Sequence, residues 1–304
     1  MKSFSRVNRK KIHRWLRYHR IENHVAAYAA AQSLPMEDYP MLGETFLMQT
    51  RASALQLAGV TGRICRELQS QDIPAMLLRG PAMAEAYFPD AMLRYCRDVD
   101  IIVHPGDMNR AEAVVQELGF QPRENREYWL QKGELPMTDG HVVVELHWEA
   151  YPALTPMPIP EADVWNRTGT VLLDGVSVVM AAPEHLLLSS CVHMACEHWM
   201  DRMVRLIDIR QILHHSGSEM DWDWIRQRTL EAHMRFPVGH VLTMARDLVD
   251  AAVPREVLKR LSPSTVVEKT AMGVISSQRF MMQPESVGGI RRSIYRRFVR
   301  HLIA

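Results

Sequence analysis

The stretch that decides the fold is residues 93–103, which read LRYCRDVDIIV. Its second half is apolar and rich in β-branched residues, which predicts a buried strand. Because side chains alternate along a strand, Asp98 and Asp100 share one face while Val99 and Ile101 point into the core. Two adjacent carboxylates repel each other, and a divalent cation between them relieves that repulsion. The pair therefore indicates either a metal site or ordinary surface acids where a strand begins.

A second strand supplies a third carboxylate. Residues 142–148 read VVVELHW, an apolar run that places Glu145 and His147 on the same face. Burying a lone glutamate there is costly unless it is paired or bound to metal. If this strand adjoins the first, Asp98, Asp100 and Glu145 converge as in two-metal phosphoryl transfer, where the Mg²⁺ ions lie about 3.5–4 Å apart. Asp98 and Asp100 would hold both ions, and Glu145 would hold the ion that activates the attacking hydroxyl. His147 is a ligand, a proton acceptor or a satisfied core histidine.

A glycine turn precedes the acids. Residues 77–81 read LLRGP, a strand that runs into a turn and then a helical segment, 82–87. Gly80 permits a phosphate to approach the backbone at a helix N-terminus, and Arg79 supplies positive charge.

The pattern along the chain predicts helices, then a small mixed sheet, then helices again. The organisation expected is an N-terminal helical segment 1–70, an α/β core 71–182 and a C-terminal helical domain 183–304. Asp174-Gly175 between two apolar runs predicts a β-hairpin. Breaks between the C-terminal helices are expected near Gly217, Pro237, Pro254 and Pro263.

These residues resemble a known family. The run LRG at 78–80, Arg94 four residues before Asp98-Val99-Asp100, and ELHW at 145–148 are similar to the uncharacterised bacterial nucleotidyltransferases of the polymerase-β superfamily. The resemblance implies an α+β fold with a polymerase-β-like mixed-sheet core flanked by helical segments. It implies transfer of a nucleoside monophosphate from an NTP, for example ATP, to a hydroxyl group, with two Mg²⁺ ions at the three carboxylates. The acceptor stays open: a small molecule, a glycan, a peptide, a protein or an RNA.

Several basic and polar residues are candidates for binding the nucleotide or its phosphates. They are Arg79, Gly80, Arg94, Arg97, Arg205 and Asp208. As alternatives, Arg94 and Arg97 pair with Asp90, Asp98 or Asp100, and Arg205 pairs with Asp208 on a helix surface. His193 is a further candidate, four residues before Glu197, although the H-E-x-x-H order of a zinc site is absent.

Composition excludes several classes of protein. The chain has 304 residues, 47% hydrophobic and 23% charged, with 36 Lys+Arg against 35 Asp+Glu. This describes a globular protein of about two domains and not a disordered or fibrous one. Four cysteines without a CxxC pair are expected to be free thiols, which favours the cytoplasm. No transmembrane segment and no signal peptide are expected.

Both ends of the chain are basic. Residues 1–21 carry eight Lys and Arg and no acid, and residues 279–304 carry six Arg and a single glutamate. Such ends contact nucleic acid, an anionic membrane or a phosphorylated substrate, or they are solvated helix faces. The last helix places Ile294, Phe298 and Leu302 on one stripe, which docks on such a partner or packs on the body of the protein.

Two other functions fit the same residues. One is a metal-dependent glycosyltransferase that holds a nucleotide sugar with its D-x-D motif. The other is a protein of the same fold that binds a nucleotide or a partner without catalysis.

Overall fold

A computed structural model describes residues 9–34, 42–94, 96–148, 159–263, 265–276 and 293–300. The helices are α1 (Arg9–His19), α2 (Glu22–Ala31), α3 (Glu44–Ser70), α4 (Gly80–Tyr87), α5 (Met108–Glu117), α6 (Arg126–Leu130), α7 (Glu161–Asn166), α8 (Pro183–Val192), α9 (Met203–Ser216), α10 (Trp222–Glu231), α11 (Arg235–Val249), α12 (Arg255–Leu261) and α13 (Val266–Val274). The strands are β1 (Ala75–Leu77), β2 (Asp98–Val103), β3 (Gln121–Pro122), β4 (Glu134–Thr138), β5 (Val143–His147), β6 (Thr168–Leu173) and β7 (Val176–Ala181).

The strands form one mixed sheet in the order β3-β4-β5-β2-β1-β7-β6. The central strands β2 and β5 run parallel, whereas β1 is antiparallel to β2 and parallel to β7. Helices precede and follow the sheet in the chain, so the predicted α+β class is confirmed. The sequence analysis missed β3 and β4. Proline is rarely found inside a strand, so Pro136 makes the pattern of β4 atypical of a strand.

The predicted hairpin is present as β6 and β7. Asp174 and Gly175 both have positive φ, 47° and 75°, as a two-residue type I′ turn requires. Glycine adopts this conformation without strain, and aspartate tolerates it better than most residues.

The long helix α3 packs on the sheet through one face. Its buried residues repeat at helical spacing: Leu57, Thr61, Gly62, Ile64, Cys65 and Leu68. Gly62 permits the closest approach, since a Cβ there would lie 3.0 Å from the carbonyl oxygen of Leu173 at the end of β6. The close contact with Leu173, the last residue of β6, therefore fixes where α3 crosses the sheet.

The predicted break near Pro237 is present, between the end of α10 at Glu231 and the start of α11 at Arg235. Pro237 lies within the first turn of α11 and does not end a helix. The amide of a first-turn residue has no partner inside the helix, so the lack of N–H in proline costs nothing there.

One continuous hydrophobic core extends from Leu16 to Val299. The division into 1–70, 71–182 and 183–304 stays a prediction.

The last described segment, residues 293–300, is helical. It buries Tyr295 and Val299, whereas Ile294, assigned to the apolar stripe, is 41% exposed. The buried face is thus rotated by about one residue, and Leu302 lies outside the described residues. So do residues 1–8, 277–292 and 301–304, and contact of the basic ends with nucleic acid or an anionic membrane stays a prediction.

Two simpler expectations can be compared with the structure. All four cysteines are unpaired, which confirms the free thiols. Among the helices in the described ranges, none combines the length and the apolar character needed to cross a bilayer.

Candidate active site

The carboxylates come together where β2 and β5 pair. The two strands are parallel neighbours, with Asp98 opposite Val143 and Asp100 directly opposite Glu145. The strand adjacency on which the predicted site depends is therefore present. Neighbouring strands lie about 4.8 Å apart, so Asp100 and Glu145, on the same face, are close enough to share a ligand.

Two basic side chains surround Asp100. Nε of Arg79 lies 3.7 Å from Asp100 Oδ2. Nε2 of His147 lies 3.4 Å from Asp100 Oδ1 and 3.8 Å from Glu145 Oε2. His147 is therefore in contact with both acids, and Asp100 is compensated from two sides.

The acids respond differently to this environment. Burial and the Asp100 charge raise the pKa of Glu145 to about 7. Burial and Asp100 also raise the pKa of Asp98. Burial acts on Asp100 in the same direction, but Arg79 and His147 outweigh it and hold the Asp100 pKa below its ordinary value. Burial opposes protonation of His147, yet the neighbouring carboxylates raise its pKa. The site thus holds more negative charge than its own cations neutralise.

This arrangement fits a divalent metal. Single ligand atoms of Asp100, Glu145 and His147 all lie within 4.8 Å of one another. Asp98 adds a further carboxylate from the same strand face as Asp100. Carboxylate oxygens are the ligands that Mg²⁺ prefers, and the raised pKa values of Asp98 and Glu145 are the repulsion that a cation would relieve.

The glycine turn at Gly80 packs directly against the acid-bearing strand β2. Gly80 has φ 62°, and a Cβ there would lie 3.3 Å from the carbonyl oxygen of Asp98. The turn therefore packs on the backbone of β2 where the acids begin. The Gly80 carbonyl accepts a hydrogen bond from Arg94 Nη1 at 2.9 Å. Phosphate binding by Arg79 and Gly80 stays a prediction.

Arg94 connects three parts of the site. Its Nε and Nη2 donate to the two oxygens of Asp208 on α9, at 3.0 and 3.1 Å. Its Nη1 also donates to the sulfur of Cys96. Burial disfavours the charged guanidinium, but Asp208 more than compensates and raises the Arg94 pKa. The alternative in which Arg94 pairs with Asp90, Asp98 or Asp100 is wrong, because Nε and Nη2 of Arg94 both donate to Asp208.

Arg205 has a different partner from the one considered. Its Nε donates to Asp201 Oδ1 at 3.0 Å, so the alternative of a surface pair with Asp208 is wrong. Burial lowers the pKa of Arg205. Arg205 and Asp208 both line the cleft beside the acids, and so does Arg97, which is exposed.

A π-helical turn, His193–Glu197, forms the opposite wall. His193 Nδ1 and Glu197 Oε2 are hydrogen-bonded at 2.7 Å. Burial and the nearby arginines keep the pKa of His193 well below its ordinary value, so this histidine is neutral at pH 7. Such turns occur often at functional sites. Ligand atoms of His193, Glu197 and His198 also lie within 4.8 Å of one another, a grouping that the missing H-E-x-x-H order did not predict.

Sequence reasoning missed several residues of this site. The cleft of about 490 Å³ is lined by every predicted site residue except Gly80. Glu134, Glu197, His198 and Asp201 line it as well. Glu134 was missed because β4 was missed. The other three lie in the π-helical turn and in the link from it to α9, and no sequence motif shows that this segment meets the sheet.

The comparisons with known proteins identify the family. A model of the family described as uncharacterised nucleotidyltransferase matches residues 5–250. The chain therefore belongs to that family, and the predicted enzyme class, nucleotidyltransferase, is confirmed. No curated protein matches.

Solved structures show only distant likeness. The crystal structure of ANT(2'')-Ia in complex with adenylyl-2''-tobramycin is 14% identical, covering 53% of this chain and 90% of that one, with a TM-score of 0.41. An antigenic nucleotidyltransferase-like protein from Paracoccidioides brasiliensis is 16% identical, covering 67% of this chain and 92% of that one, also with a TM-score of 0.41.

The family membership also bears on the glycosyltransferase alternative. That alternative requires a longer nucleotide-binding α/β region before the acids, and β1 is the one strand that the described residues place ahead of β2. The described fold therefore does not favour the glycosyltransferase alternative.

Proposed function

We propose that this protein transfers a nucleoside monophosphate from an NTP, ATP among them, to a hydroxyl group and releases pyrophosphate. The observation that carries the proposal is the strand register that sets Asp100 opposite Glu145, beside Asp98. Asp98, Asp100 and Glu145 would hold the Mg²⁺ ions. The four unpaired cysteines support a reducing, cytoplasmic location.

Bound Mg²⁺ would supply neutralisation of the triphosphate charge and a lower pKa for the attacking hydroxyl. The protein contributes fixed charge around it. Arg79 and Arg205 line the cleft and would bind the phosphates, with Arg97 at its exposed side. Preorganised cations of this kind stabilise the charge that develops in the transition state.

The transfer itself is a displacement at phosphorus. The acceptor oxygen forms a bond to the α-phosphorus, and the bond from that phosphorus to the bridging oxygen of the β-phosphate breaks. Pyrophosphate leaves with the bond electrons. The hydroxyl proton passes to a solvent water, because Glu145 would be a ligand of the Mg²⁺ that lowers the pKa of this hydroxyl.

Arg94 and Asp208 act as positioning residues. Their two parallel hydrogen bonds use the directional fork of the guanidinium, and the third nitrogen holds the Gly80 carbonyl. The pair therefore fixes α9, with Arg205, relative to the Gly80 turn and β2. A direct contact of Arg94 with the nucleotide is not needed for this role.

The test is transfer of label from each of the four α-labelled NTPs in Mg²⁺, with host lysate as the source of acceptor. Wild type should label an acceptor. Asp98→Ala/Asp100→Ala should not, because both carboxylates are lost. Glu117→Gln, an exposed acid at the end of α5, is the matched control and should keep full transfer.

Binding of the NTP separates the remaining outcomes. If wild type binds an NTP and transfers none in any lysate, the chain is a nucleotide-binding protein and the catalytic proposal is wrong. If neither protein binds any NTP, nucleotidyl transfer at this cleft is wrong altogether.

A further inference from the structure

A second cavity adjoins the catalytic cleft. It has a volume of about 600 Å³ and lies among α1, α2, α3 and α4. We name it the arginine cavity after six residues of its lining: Arg14, Arg17, Arg20, Arg94, Arg97 and Arg202. The last four of these also line the catalytic cleft, so the two spaces meet along a shared wall.

The charge of the arginine cavity is opposite to that of the acid strands. Against its six arginines stand two acids, Glu22 and Glu85, among the described lining residues. Arg14 and Arg17 are exposed and three residues apart on α1, so they share a helix face at the mouth of the cavity. Arg94 and Arg202 are paired with Asp208 and Asp201, so the exposed Arg14 and Arg17 are the guanidinium groups that would attract an anion.

The inner part of the arginine cavity is apolar. Ala54, Leu57 and Ala58 contribute one face of α3, and Met92 lies in the wall that leads to the acids. The backbone at Met92 is fixed, because its carbonyl accepts a buried hydrogen bond from Asn23 at 2.7 Å. An apolar interior with a few convergent charged groups is the usual composition of a small-molecule site.

The proposed transfer needs a place for the acceptor. The catalytic cleft holds the carboxylates that would bind metal and hence the triphosphate, whereas neither potential metal group found in the described residues lies in the arginine cavity. A ligand in the arginine cavity meets the cleft at the shared arginines.

We propose that the arginine cavity binds the acceptor of the transfer reaction, and that this acceptor carries a phosphate or carboxylate group joined to an apolar portion. The anion contacts Arg14 and Arg17, and the apolar portion lies against Ala54 and Leu57. This inference rests on the proposed function, since an acceptor exists only if the transfer does.

The test measures binding of simple probes to the full chain by calorimetry. Octyl phosphate and octanoate carry the two candidate anions, and octanol and octyltrimethylammonium are the neutral and cationic counterparts. At least one anionic probe should bind wild type at least about tenfold more tightly than the neutral and cationic probes. The stronger of the two anions then identifies the acidic group of the acceptor.

Two variants locate the binding. Arg14→Gln/Arg17→Gln should weaken the anionic probe at least about tenfold, and Ala54→Phe should do the same by filling the interior. The matched control, Arg63→Gln/Arg66→Gln, removes two exposed arginines at the same spacing from α3, outside the cavity, and should change nothing.

A third ligand separates this inference from the proposed function. The Mg²⁺ complex of α,β-methylene-ATP should bind wild type and Arg14→Gln/Arg17→Gln equally, and together with the anionic probe. If no protein binds this analogue while the anionic probe still binds, the proposed function fails and the cavity keeps its anionic ligand. If the analogue is lost in Arg14→Gln/Arg17→Gln, the cavity serves the triphosphate and the inference is wrong. Equal binding of octanol, or no binding of either anion, also overturns it.

Discussion

The two walls of the catalytic cleft handle charge in opposite ways. On the strand wall, formed by β2 and β5, Asp98, Asp100 and Glu145 repel one another, and the pKa values of Asp98 and Glu145 rise. On the helix wall, formed by the π-helical turn and α9, Asp201 pairs with Arg205 and Asp208 pairs with Arg94, and Glu197 is hydrogen-bonded to the neutral His193.

The difference points to the strand wall as the one that would bind a cation or substrate. Uncompensated acids lower stability, and a folded protein keeps them where a cation or substrate supplies the missing charge. Paired charges on the helix wall hold geometry instead. We therefore expect substitutions on the strand wall to affect chemistry and those on the helix wall to affect stability.

The largest effect is expected from the strand wall. Asp98→Asn and Asp100→Asn should each reduce nucleotidyl transfer at least about 1000-fold, which corresponds to ~4 kcal/mol of transition-state stabilisation. Steady-state kinetics would measure this. Asp98→Asn should also leave the free energy of unfolding unchanged or higher, because it removes a repelled charge. A large loss of stability with kcat preserved would contradict the contrast between the walls.

On the helix wall, Arg94→Met should destabilise the fold by about 3–5 kcal/mol, because Asp208 is left buried without its partner. Denaturant unfolding would measure the loss. The double variant Arg94→Met/Asp208→Leu should recover much of it. Arg51→Gln, which breaks the exposed pair with Asp90, is the control and should cost about 1 kcal/mol or less. If Arg94→Met and Arg51→Gln lower the free energy of unfolding by equal amounts, the buried Arg94–Asp208 pair contributes no more than an exposed one.

The helix wall should also be sensitive to acid through His19. Burial lowers the pKa of His19 to about 4, and its Nδ1 accepts the Met203 N–H at the start of α9. The unfolded chain takes up this proton near pH 6.5 and the folded chain only near pH 4. Stability is therefore present above pH 6.5 and is lost as pH falls toward 4, by about 2 kcal/mol between pH 7.5 and 5.

Chemical unfolding across that pH range would test this. His19→Gln keeps an acceptor but does not titrate, so its profile should be flatter than that of wild type. His141→Gln, an exposed histidine, should retain the slope of wild type. The interpretation is wrong if His19→Gln and wild type have the same profile.

The smallest expected effect is that of metal on stability. Mg²⁺ at ten times its dissociation constant should stabilise wild type by about 1.4 kcal/mol, because it binds only the folded state. Thermal unfolding with Mg²⁺ or EDTA would measure the shift in Tm. Asp98→Asn should lose the shift and Arg205→Gln should keep it. A full shift that persists in Asp98→Asn would show that Mg²⁺ binds elsewhere than at the strand wall.

Much of the strand wall follows from local sequence. The alternation in DVDIIV and VVVELHW determines which side chains share a face, because the period of a strand is two. Asp174-Gly175 determines its turn for the same kind of reason, since few residues tolerate two successive positive φ angles. The family resemblance agreed with these residues, and the family match confirms it.

The partners on the helix wall could not be predicted in this way. Arg94 and Asp208 are 114 positions apart. Helix spacing predicted instead that Asp208 pairs with Arg205, three residues before it on the same helix. The strand β4, which carries Glu134, was not predicted either. Such pairings depend on how α9 packs against the sheet, for which no short motif exists.

The sequence by itself determined the class of fold, the two acid-bearing strands and the enzyme family, because these depend on periodicity and on short motifs. The tertiary structure decided that β2 and β5 are neighbours, in the register that sets Asp100 beside Glu145. It also decided that six arginines, from both sides of the acid strand in sequence, surround one cavity. The physical reason is that contacts between distant segments are selected by packing and charge compensation in the folded state, which local propensity does not encode.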